Sequence, residues 1–392
     1  MQRIPITKPV FGEEEVEAVT RPLESGWVVQ GPYVQEFERR FAAYVGSPHA
    51  VATTSCTSAL HVALAALDVG PGDEVIVPAF TWISTANVVE YLGGRPVFCD
   101  VDLATYNIDP ALCESLVTER TVGIIPVHLF GLAAEVERLR GLCEREGLWL
   151  VEDAACGFGC WRQGRHVGTF GAFGAFSFHP RKAITTGEGG MLTTADPHLD
   201  GLARSLRDHG ASRSDWARHD GHDGFLLAEY PYLGFNFRMT DIQGALGCAQ
   251  MDRADWILAR RRELAARYDE LLADVDWLRT PVVPEGDLHG YQAYVCLFAP
   301  EEPTFANVAR LHEHRNRLMR ALAERGIATR QGTHAVVATR YYSERYGLSR
   351  EQFPAASFAE LLSLTLPLFP QMTDDEQEEV VSALQHAMAP VR

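Results

Sequence analysis

The stretch AFSFHPRKAITTGEGG, residues 175–190, runs from the end of a predicted strand into a loop of small residues that surrounds Lys182. Glycines let a backbone or a flat ligand come close, and the Ser177 hydroxyl can donate a hydrogen bond to a phosphate oxygen. The lysine is unusual, because the chain has only one other, Lys8, among 35 lysines and arginines. A desolvated lysine can lose its proton and act as an amine nucleophile, which an arginine cannot do. The loop therefore predicts a reactive amine at position 182.

Before this loop, short apolar runs alternate with helical patterns from residue 51 to about residue 178. Such alternation is typical of a parallel sheet covered by helices, and most of the runs are apolar on both faces, as in a central sheet. We predict an α/β fold with three layers and a mostly parallel central sheet. The predicted strands are Val51–Thr53, Glu74–Pro78, Arg95–Val101, Val122–Val127, Trp149–Glu152 and Ala172–Phe178. The predicted helices are Thr57–Leu67, Ser84–Tyr91, Pro110–Leu116 and Ala134–Glu146.

The second half of the chain has a different pattern. A long helical pattern from about Asp241 to Leu272 predicts a single helix that leaves the first domain. Beyond it we predict a strand over Gly290–Phe298 and helices over Asn307–Arg325 and Thr373–Met388, which together indicate a smaller α+β domain. The predicted division is a large domain at residues 1–245, including an N-terminal arm, and a small domain at residues 246–392, including the connecting helix.

Three further features stand where predicted strands end, and parallel sheets bind their ligands beyond the carboxyl ends of the strands. Asp153 follows an apolar run and would need a cation, because an unpaired buried carboxylate is costly. At residues 53–59 a strand passes into a helix whose free N–H groups can bind a phosphate. Trp82 ends another strand and can lie flat on a planar ring. With the amine of Lys182, these features predict pyridoxal 5′-phosphate (PLP) as the cofactor.

Taken singly, each feature also has an ordinary structural interpretation. Asp153 would cap a helix, Trp82 would fill the core and Ser58 would be an N-cap. Their joint occurrence at strand ends, in this order, favours the cofactor site over these alternatives.

Composition and charge disfavour several classes of function. The net charge of −17 works against binding nucleic acid, which requires a cationic surface. No segment approaches about 18 apolar residues, and the first residues lack an apolar run behind a basic region, so we predict a cytoplasmic protein with neither membrane span nor signal peptide. The eight cysteines lack the spacing of a zinc site, so we expect free thiols and no metal.

The motifs together resemble the sugar aminotransferases of the DegT/DnrJ/EryC1/StrS group, which have the fold type I architecture of PLP-dependent enzymes. The resemblance covers nearly the whole chain and rests on the combination of its motifs. These are SGWVVQG (25–31), TSCTSAL (54–60), PAFTW (78–82), EDAA (152–155), SFHPRKAITTGEGG (177–190), GFNFRMTDIQ (234–243) and LPLFP (366–370).

The resemblance implies a role for individual residues. Lys182 would bind the cofactor covalently, Asp153 would pair with its ring nitrogen and Trp82 would stack on its ring. The phosphate would be held by Thr57, Ser58 and Ser177, together with Asn236 of a neighbouring subunit, so a homodimer with shared active sites is implied. The implied substrate contacts are Gly31, His179, Arg238 and His334. Arg238 could instead be an exposed ion-pair arginine, and His334 a structural histidine.

Two positions depart from the family pattern. Relatives usually have glutamine or histidine where this chain has Cys156, at the position that meets the phenolic oxygen of the cofactor. They commonly have glycine where this chain has Cys56. A thiol is a weak hydrogen-bond donor, so a different tuning of the cofactor is expected at position 156.

By the same resemblance, the chain would be a PLP-dependent aminotransferase that uses L-glutamate as amino donor and a nucleotide-linked 4-keto-6-deoxy hexose as acceptor. The segment from Asn236 to Gln243 looks most like enzymes that aminate C4, including perosamine synthases. A 3-ketosugar or a keto-cyclitol such as an inosose is the alternative acceptor. Lys182 argues against the family branch that has histidine there and performs 3-dehydration. A non-catalytic regulatory protein is a more distant alternative, which the acidic charge and the presence of both Lys182 and Asp153 disfavour.

Overall fold

The structure is a computed structural model that describes residues 3–214, 216 and 227–388. Its strands follow the short apolar runs of the sequence closely. In chain order they are β1 (His49–Thr53), β2 (Glu74–Pro78), β3 (Phe80–Thr81), β4 (Arg95–Cys99), β5 (Thr121–Ile124), β6 (Trp149–Asp153), β7 (Trp161–Arg162), β8 (Arg165–His166), β9 (Phe173–Ser177), β10 (Gly190–Thr194), β11 (Leu278–Arg279), β12 (Asp287–Leu288), β13 (Tyr294–Phe298), β14 (His334–Ala335) and β15 (Ser363–Leu366).

The central sheet has seven strands in the order β1-β10-β9-β6-β5-β2-β4. Strands β9, β6, β5, β2 and β4 run parallel, whereas β10 is antiparallel to both of its neighbours. The predicted α/β fold with a mostly parallel central sheet is therefore confirmed. Strand β10 was not predicted, because its run GMLTT is short and directly follows the glycines of the lysine loop. Its position is important, because it makes the lysine loop the connection between two adjacent strands.

Helices cover this sheet on both faces, and those predicted from residue 57 to residue 146 are present within two residues of their predicted ends. The described helices are α1 (Glu13–Ser25), α2 (Pro32–Val45), α3 (Cys56–Ala66), α4 (Ser84–Tyr91), α5 (Pro110–Ser115), α6 (Val136–Glu146), α7 (Pro197–Arg207), α8 (Asp241–Asp252), α9 (Ala254–Leu271), α10 (Val308–Glu324), α11 (Arg340–Tyr346), α12 (Pro354–Leu362) and α13 (Asp374–Met388). The side chains between the layers are almost entirely apolar and buried.

The predicted single helix from Asp241 to Leu272 is two helices, α8 and α9, that meet at Arg253. The Arg253 side chain forms ion pairs with Glu14 and Glu15 of α1. The break is thus accompanied by tertiary contacts with α1, which the helical periodicity of the segment does not reveal.

The C-terminal region contains an antiparallel sheet in the order β11-β13-β15, with α10, α12 and α13 packed around it. This arrangement agrees with the predicted α+β character of the region. Strand β15 and helices α11 and α12 were not among the predicted elements. The predicted domain boundary at residues 245 and 246 stays a prediction.

The start of the described chain lies on the C-terminal region. Ile4 forms a parallel bridge with Ile327, and the backbone N–H of Leu368 donates to the Ile6 carbonyl. This pairing carries the next residue, Thr7, to the cavity described below. Among the described residues, no helix is both long enough and apolar enough to cross a membrane.

All eight cysteines are described, and all are free thiols, as predicted. Cys156 is half-buried, and the other seven are buried. Cys156 is therefore the thiol that a solvent-borne reagent can reach most easily.

Candidate active site

Asp153 stands at the carboxyl end of β6, the strand position at which parallel sheets bind ligands. It is 3% exposed, and it does not cap a helix. The Thr85 hydroxyl donates to Asp153 Oδ2 at 2.7 Å, and the Ala155 backbone N–H donates to Oδ1 at 3.1 Å. Burial raises the pKa of this carboxyl, while the bond from Thr85 and the charge of Lys182 oppose that rise. The carboxylate would gain most from a cationic group bound next to it.

Glu152, the residue before Asp153, points to the other face of the sheet, where its hydrogen bonds hold this end of β6 in place. His128 Nε2 lies 2.9 Å from Glu152 Oε2, and both side chains are 0% exposed. The Ala134 N–H donates to His128 Nδ1, so the ring proton is on Nε2 and points to Glu152. The other donors to Glu152 are the backbone N–H groups of residues 168, 170 and 171. This network was not predicted, because its members are far apart in the sequence.

Lys182 lies in the loop between β9 and β10, with its Nζ 3.1 Å from Cys156 Sγ. Its backbone N–H donates to the His179 carbonyl at 2.8 Å. The loop is also held from the C-terminal region, where Gln292 Nε2 donates to the Arg181 carbonyl at 2.9 Å. These bonds present the amine on the same side of the sheet as Asp153.

The N-terminus of α3 forms a third part of the site. Ser55 is its N-cap and accepts a hydrogen bond from the Ser58 backbone N–H at 3.1 Å. Ser58 was considered as the N-cap, but its own hydroxyl lies 2.9 Å from that of Thr54 and 3.0 Å from that of Ser55. Thr57 faces the cavity, whereas Ser58 is not among the residues that line it. A side chain at Gly190 would come within 2.3 Å of the Ser55 backbone, so glycine is required where β10 passes this helix end.

These parts enclose a cavity of about 660 Å³. Thr57, Asp153, Ser177 and Lys182 line it from the domain of the central sheet, and we call them the sheet wall. Arg330, Gly332 and His334 line it from the C-terminal region, and we call them the C-terminal wall.

Trp82 stands at the edge of the cavity and is 54% exposed, so it does not fill the core. Its ring centroid is 5.9 Å from that of His334. His334 is held by a β-bridge to Thr81, and its Nδ1 lies 3.6 Å from Glu360 Oε1. Both predicted aromatic contacts are therefore available to a ligand in the cavity. The predicted His179 and Cys156 line the cavity as well.

Besides Ser58, three more of the predicted residues lie outside the lining of this cavity. The Gly31 N–H donates to Asp241 Oδ1 at 2.9 Å at the start of α2. Arg238 Nη1 is 2.7 Å from Asp208 Oδ1, which agrees with the alternative that it is an ion-pair arginine. Asn236 is exposed and forms a bridge with Asp208. Within one chain, none of these three residues lines the cavity that contains Lys182.

PLP fits the residues that are present. The buried Asp153 carboxylate matches a protonated ring nitrogen, and the helix end at Ser55 to Thr57 matches a phosphate. The Lys182 amine projects into a cavity wide enough for a substituted pyridine. Cys56, which lies 4.0 Å from Asp153 Oδ1, stays protonated because burial raises its pKa well above the usual range. The combination of an amine, a buried acid and a phosphate-binding helix end defines a PLP-dependent enzyme.

The chain belongs to the DegT/DnrJ/EryC1/StrS aminotransferase family, whose pattern it matches over residues 9–385. It is therefore a PLP-dependent aminotransferase, as predicted. It is 39% identical over 382 residues to the spore coat polysaccharide biosynthesis protein SpsC of Bacillus subtilis, and the match covers 97% of this chain and 96% of that protein.

Two solved structures show the similarity in three dimensions. The putative sugar aminotransferase Spr1654 of Streptococcus pneumoniae superimposes with a TM-score of 0.91 at 29% identity, over 100% of both chains. PseC of Helicobacter pylori, an aminotransferase involved in the biosynthesis of pseudoaminic acid, superimposes with a TM-score of 0.89 at 26% identity, over 99% of both chains. The Spr1654 protein has been solved in PLP and PMP forms.

Several residues of the site were not predicted from the sequence. Thr85 lies inside predicted helix Ser84–Tyr91, where nothing in the periodicity distinguishes it from an ordinary helix residue. Arg330 and Thr7 are single polar residues in segments without a motif. Only the fold shows that these three residues reach Asp153 or the cavity.

Proposed function

We propose that this aminotransferase transfers the amino group of L-glutamate to a nucleotide-linked 4-keto-6-deoxy hexose. The observation that carries the proposal is the placement of Lys182, Asp153 and the α3 N-terminus around one cavity. The relatives support a sugar acceptor, because SpsC is named for polysaccharide biosynthesis and PseC for pseudoaminic acid biosynthesis. The cavity of about 660 Å³ has room for a sugar beside the cofactor.

When bound, PLP supplies an electron sink that stabilises negative charge at the carbon from which a proton is removed. Lys182 Nζ is the base that takes this proton and the acid that returns it. Asp153 keeps a proton on the ring nitrogen by its negative charge, and Thr85 holds the carboxylate in that orientation. Thr57 and the N–H groups at the start of α3 bind and orient the phosphate. Trp82, which lines the cavity, would stack on the ring of the cofactor.

The proposed active enzyme is a homodimer with shared sites in the cytoplasm. Asn236 is exposed and lies outside the lining of its own cavity, so it is free to reach the phosphate group in a second copy. Mixing Lys182→Ala protein with Asn236→Ala protein tests this. Hybrid dimers would contain one intact site, and activity should return to about a quarter of the wild-type value. Mixtures that stay as inactive as the separate variants would exclude sharing through Asn236.

The substrate is tested with a panel of acceptors. Wild-type protein is incubated with PLP, L-glutamate and GDP-, dTDP- or UDP-linked 4-keto-6-deoxy hexoses, and with 3-ketosugars and scyllo-inosose as competitors. Formation of 2-oxoglutarate and of the aminosugar is followed by mass spectrometry. Amination of a 4-ketosugar supports the proposal, whereas activity confined to inosose or to 3-ketosugars would replace it by the alternative. A colourless protein that does not bind PLP would contradict catalysis altogether.

A further inference from the structure

The cationic side chains that line the cavity come from two parts of the chain. Among the described residues, these cations are Arg181, Lys182 and Arg330. The amine of Lys182 is required for the chemistry. The Arg181 guanidinium has no ion pair or hydrogen bond among the described residues, but Glu188 of the same loop lines the cavity with it. Arg330 is the cation that the C-terminal region contributes, and no described carboxylate of that region lines the cavity with it.

The backbone of Arg330 is held by hydrogen bonds, whereas its side chain has no partner among the described residues. Its N–H donates to the Thr365 carbonyl at 3.3 Å, and its carbonyl accepts from the Thr365 N–H at 2.7 Å. Its guanidinium forms no ion pair or hydrogen bond with any residue in the ranges 3–214, 216 and 227–388. The carboxylate of Glu360 in the C-terminal region forms an ion pair with Arg350 and lies close to His334, so it does not pair with Arg330. The guanidinium therefore faces the cavity with its donors available.

A second unused polar group faces the same cavity. Thr7 Oγ1 is buried and has no hydrogen-bond partner among the described residues. A buried hydroxyl without a partner costs about 1 to 3 kcal/mol, so such atoms usually await a ligand or an ordered water. The pairing of Ile4 with Ile327 holds the segment that carries Thr7 against the C-terminal region.

We infer that Arg330, assisted by Thr7, binds an oxyanion of the substrate, a carboxylate or a phosphate, where the C-terminal region lines the cavity. This inference rests on the proposed function, in which both substrates are anions: glutamate carries two carboxylates and a sugar nucleotide carries a diphosphate. A guanidinium matches either oxyanion through two parallel N–H donors. One residue can thus receive each substrate in turn, because both occupy the same cavity.

The test measures binding of unreactive anions to the PLP-loaded protein by isothermal titration calorimetry. Maleate reports on carboxylates, and uridine, guanosine and thymidine diphosphates report on phosphates. Arg330→Gln should weaken binding about 10- to 100-fold, since a charge-assisted hydrogen bond contributes roughly 1.5 to 3 kcal/mol. Arg330→Lys should recover part of the loss, and Thr7→Val should weaken binding about 3- to 10-fold.

The matched control is Arg340→Gln. Arg340 lies outside the cavity lining, is 89% exposed and pairs with Glu344 one turn along its helix. The Arg340→Gln variant should bind maleate and the nucleoside diphosphates with the dissociation constants of the wild type. Thermal melting of each variant checks that the fold is retained.

The outcome decides both the role and the anion. Weaker binding of maleate alone assigns Arg330 to the amino donor, weaker binding of a nucleoside diphosphate alone assigns it to the acceptor, and weaker binding of both assigns it to each in turn. Unchanged binding of both probes in Arg330→Gln overturns the inference, as does a wild-type protein that binds neither. Failure of the acceptor panel would contradict the proposed function separately, because maleate binding does not depend on which sugar is accepted.

Discussion

On the sheet wall, the reactive groups already have partners within the protein: Asp153 accepts from Thr85, and Lys182 contacts Cys156. On the C-terminal wall, Arg330 has no such partner among the described residues, and His334 is exposed. The difference indicates a division of tasks. We propose that the desolvated and hydrogen-bonded sheet wall holds the cofactor in one orientation, whereas the exposed donors of the C-terminal wall receive the two substrates. We therefore expect substitutions on the sheet wall to affect the chemistry and substitutions on the C-terminal wall to affect affinity.

The largest effect is expected at Lys182. Lys182→Arg keeps the positive charge but removes an amine that can lose its proton, so turnover should fall at least about 10³-fold. The protein should keep its melting temperature and its affinity for nucleoside diphosphates. The matched control is Lys8→Arg, because Lys8 is exposed and is the only other lysine. Appreciable transamination by Lys182→Arg would contradict the assignment of the sheet wall to chemistry.

Asp153→Asn separates catalysis from stability. The variant should lose activity by about 10²- to 10⁴-fold, because a neutral amide does not hold a proton on the ring nitrogen. Burial raises the pKa of Asp153, so the folded cofactor-free protein binds this proton more tightly than the unfolded chain does. Its stability therefore falls as the pH rises from the ordinary carboxyl value of about 4. At pH 7, cofactor-free Asp153→Asn should therefore melt at a higher temperature than wild type.

Calorimetry of the cofactor-free proteins checks the stability part. The difference in melting temperature between Asp153→Asn and wild type should shrink as the pH falls towards 4, where the wild-type carboxyl becomes protonated in both states. A variant that is less stable than wild type at pH 7 would show that the carboxylate stabilises the fold even without a cation beside it.

Thr85→Val should lower activity less than Asp153→Asn does. It removes the hydroxyl that donates to Asp153 at 2.7 Å and nearly preserves the volume. Loss of one hydrogen bond to a charged group should lower kcat/KM and cofactor affinity about 10-fold. Thr85→Ser, which retains the hydroxyl, serves as the control and should stay close to wild type. If valine and serine behave alike, the hydroxyl does not orient the carboxylate.

The smallest effect on turnover is expected at Cys156. Cys156→Ser should lower kcat less than about 10-fold, because the thiol is a weak donor that the family pattern does not require. Chemical labelling should distinguish Cys156 more clearly than turnover does. Iodoacetamide should label Cys156 at least about 10-fold faster than the seven buried cysteines, and bound PLP should protect it. Equal labelling with and without PLP would place the thiol outside the cofactor site.

Much of the architecture was predictable because it depends on local patterns. Strand β2 and helix α4 have the predicted bounds, since apolar runs and helical periodicity describe which faces are buried. Strand β10 and the break at Arg253 were not predictable, because β10 pairs with distant strands and the break is accompanied by ion pairs with a distant helix. The same holds for the support of Glu152 by His128.

For the site, the sequence by itself predicted a reactive amine, an acid at a strand end and a helix start suited to a phosphate, because each is a residue type in a recognisable local context. Only the tertiary structure decided that Thr57 rather than Ser58 faces the cavity, and that Thr85, Thr7 and Arg330 belong to it. It also placed Asn236 and Arg238 outside the lining of the cavity that contains the Lys182 of their own chain. The physical reason is that hydrogen-bond partners and free donors are properties of packed surfaces, which form when segments far apart in the chain come together.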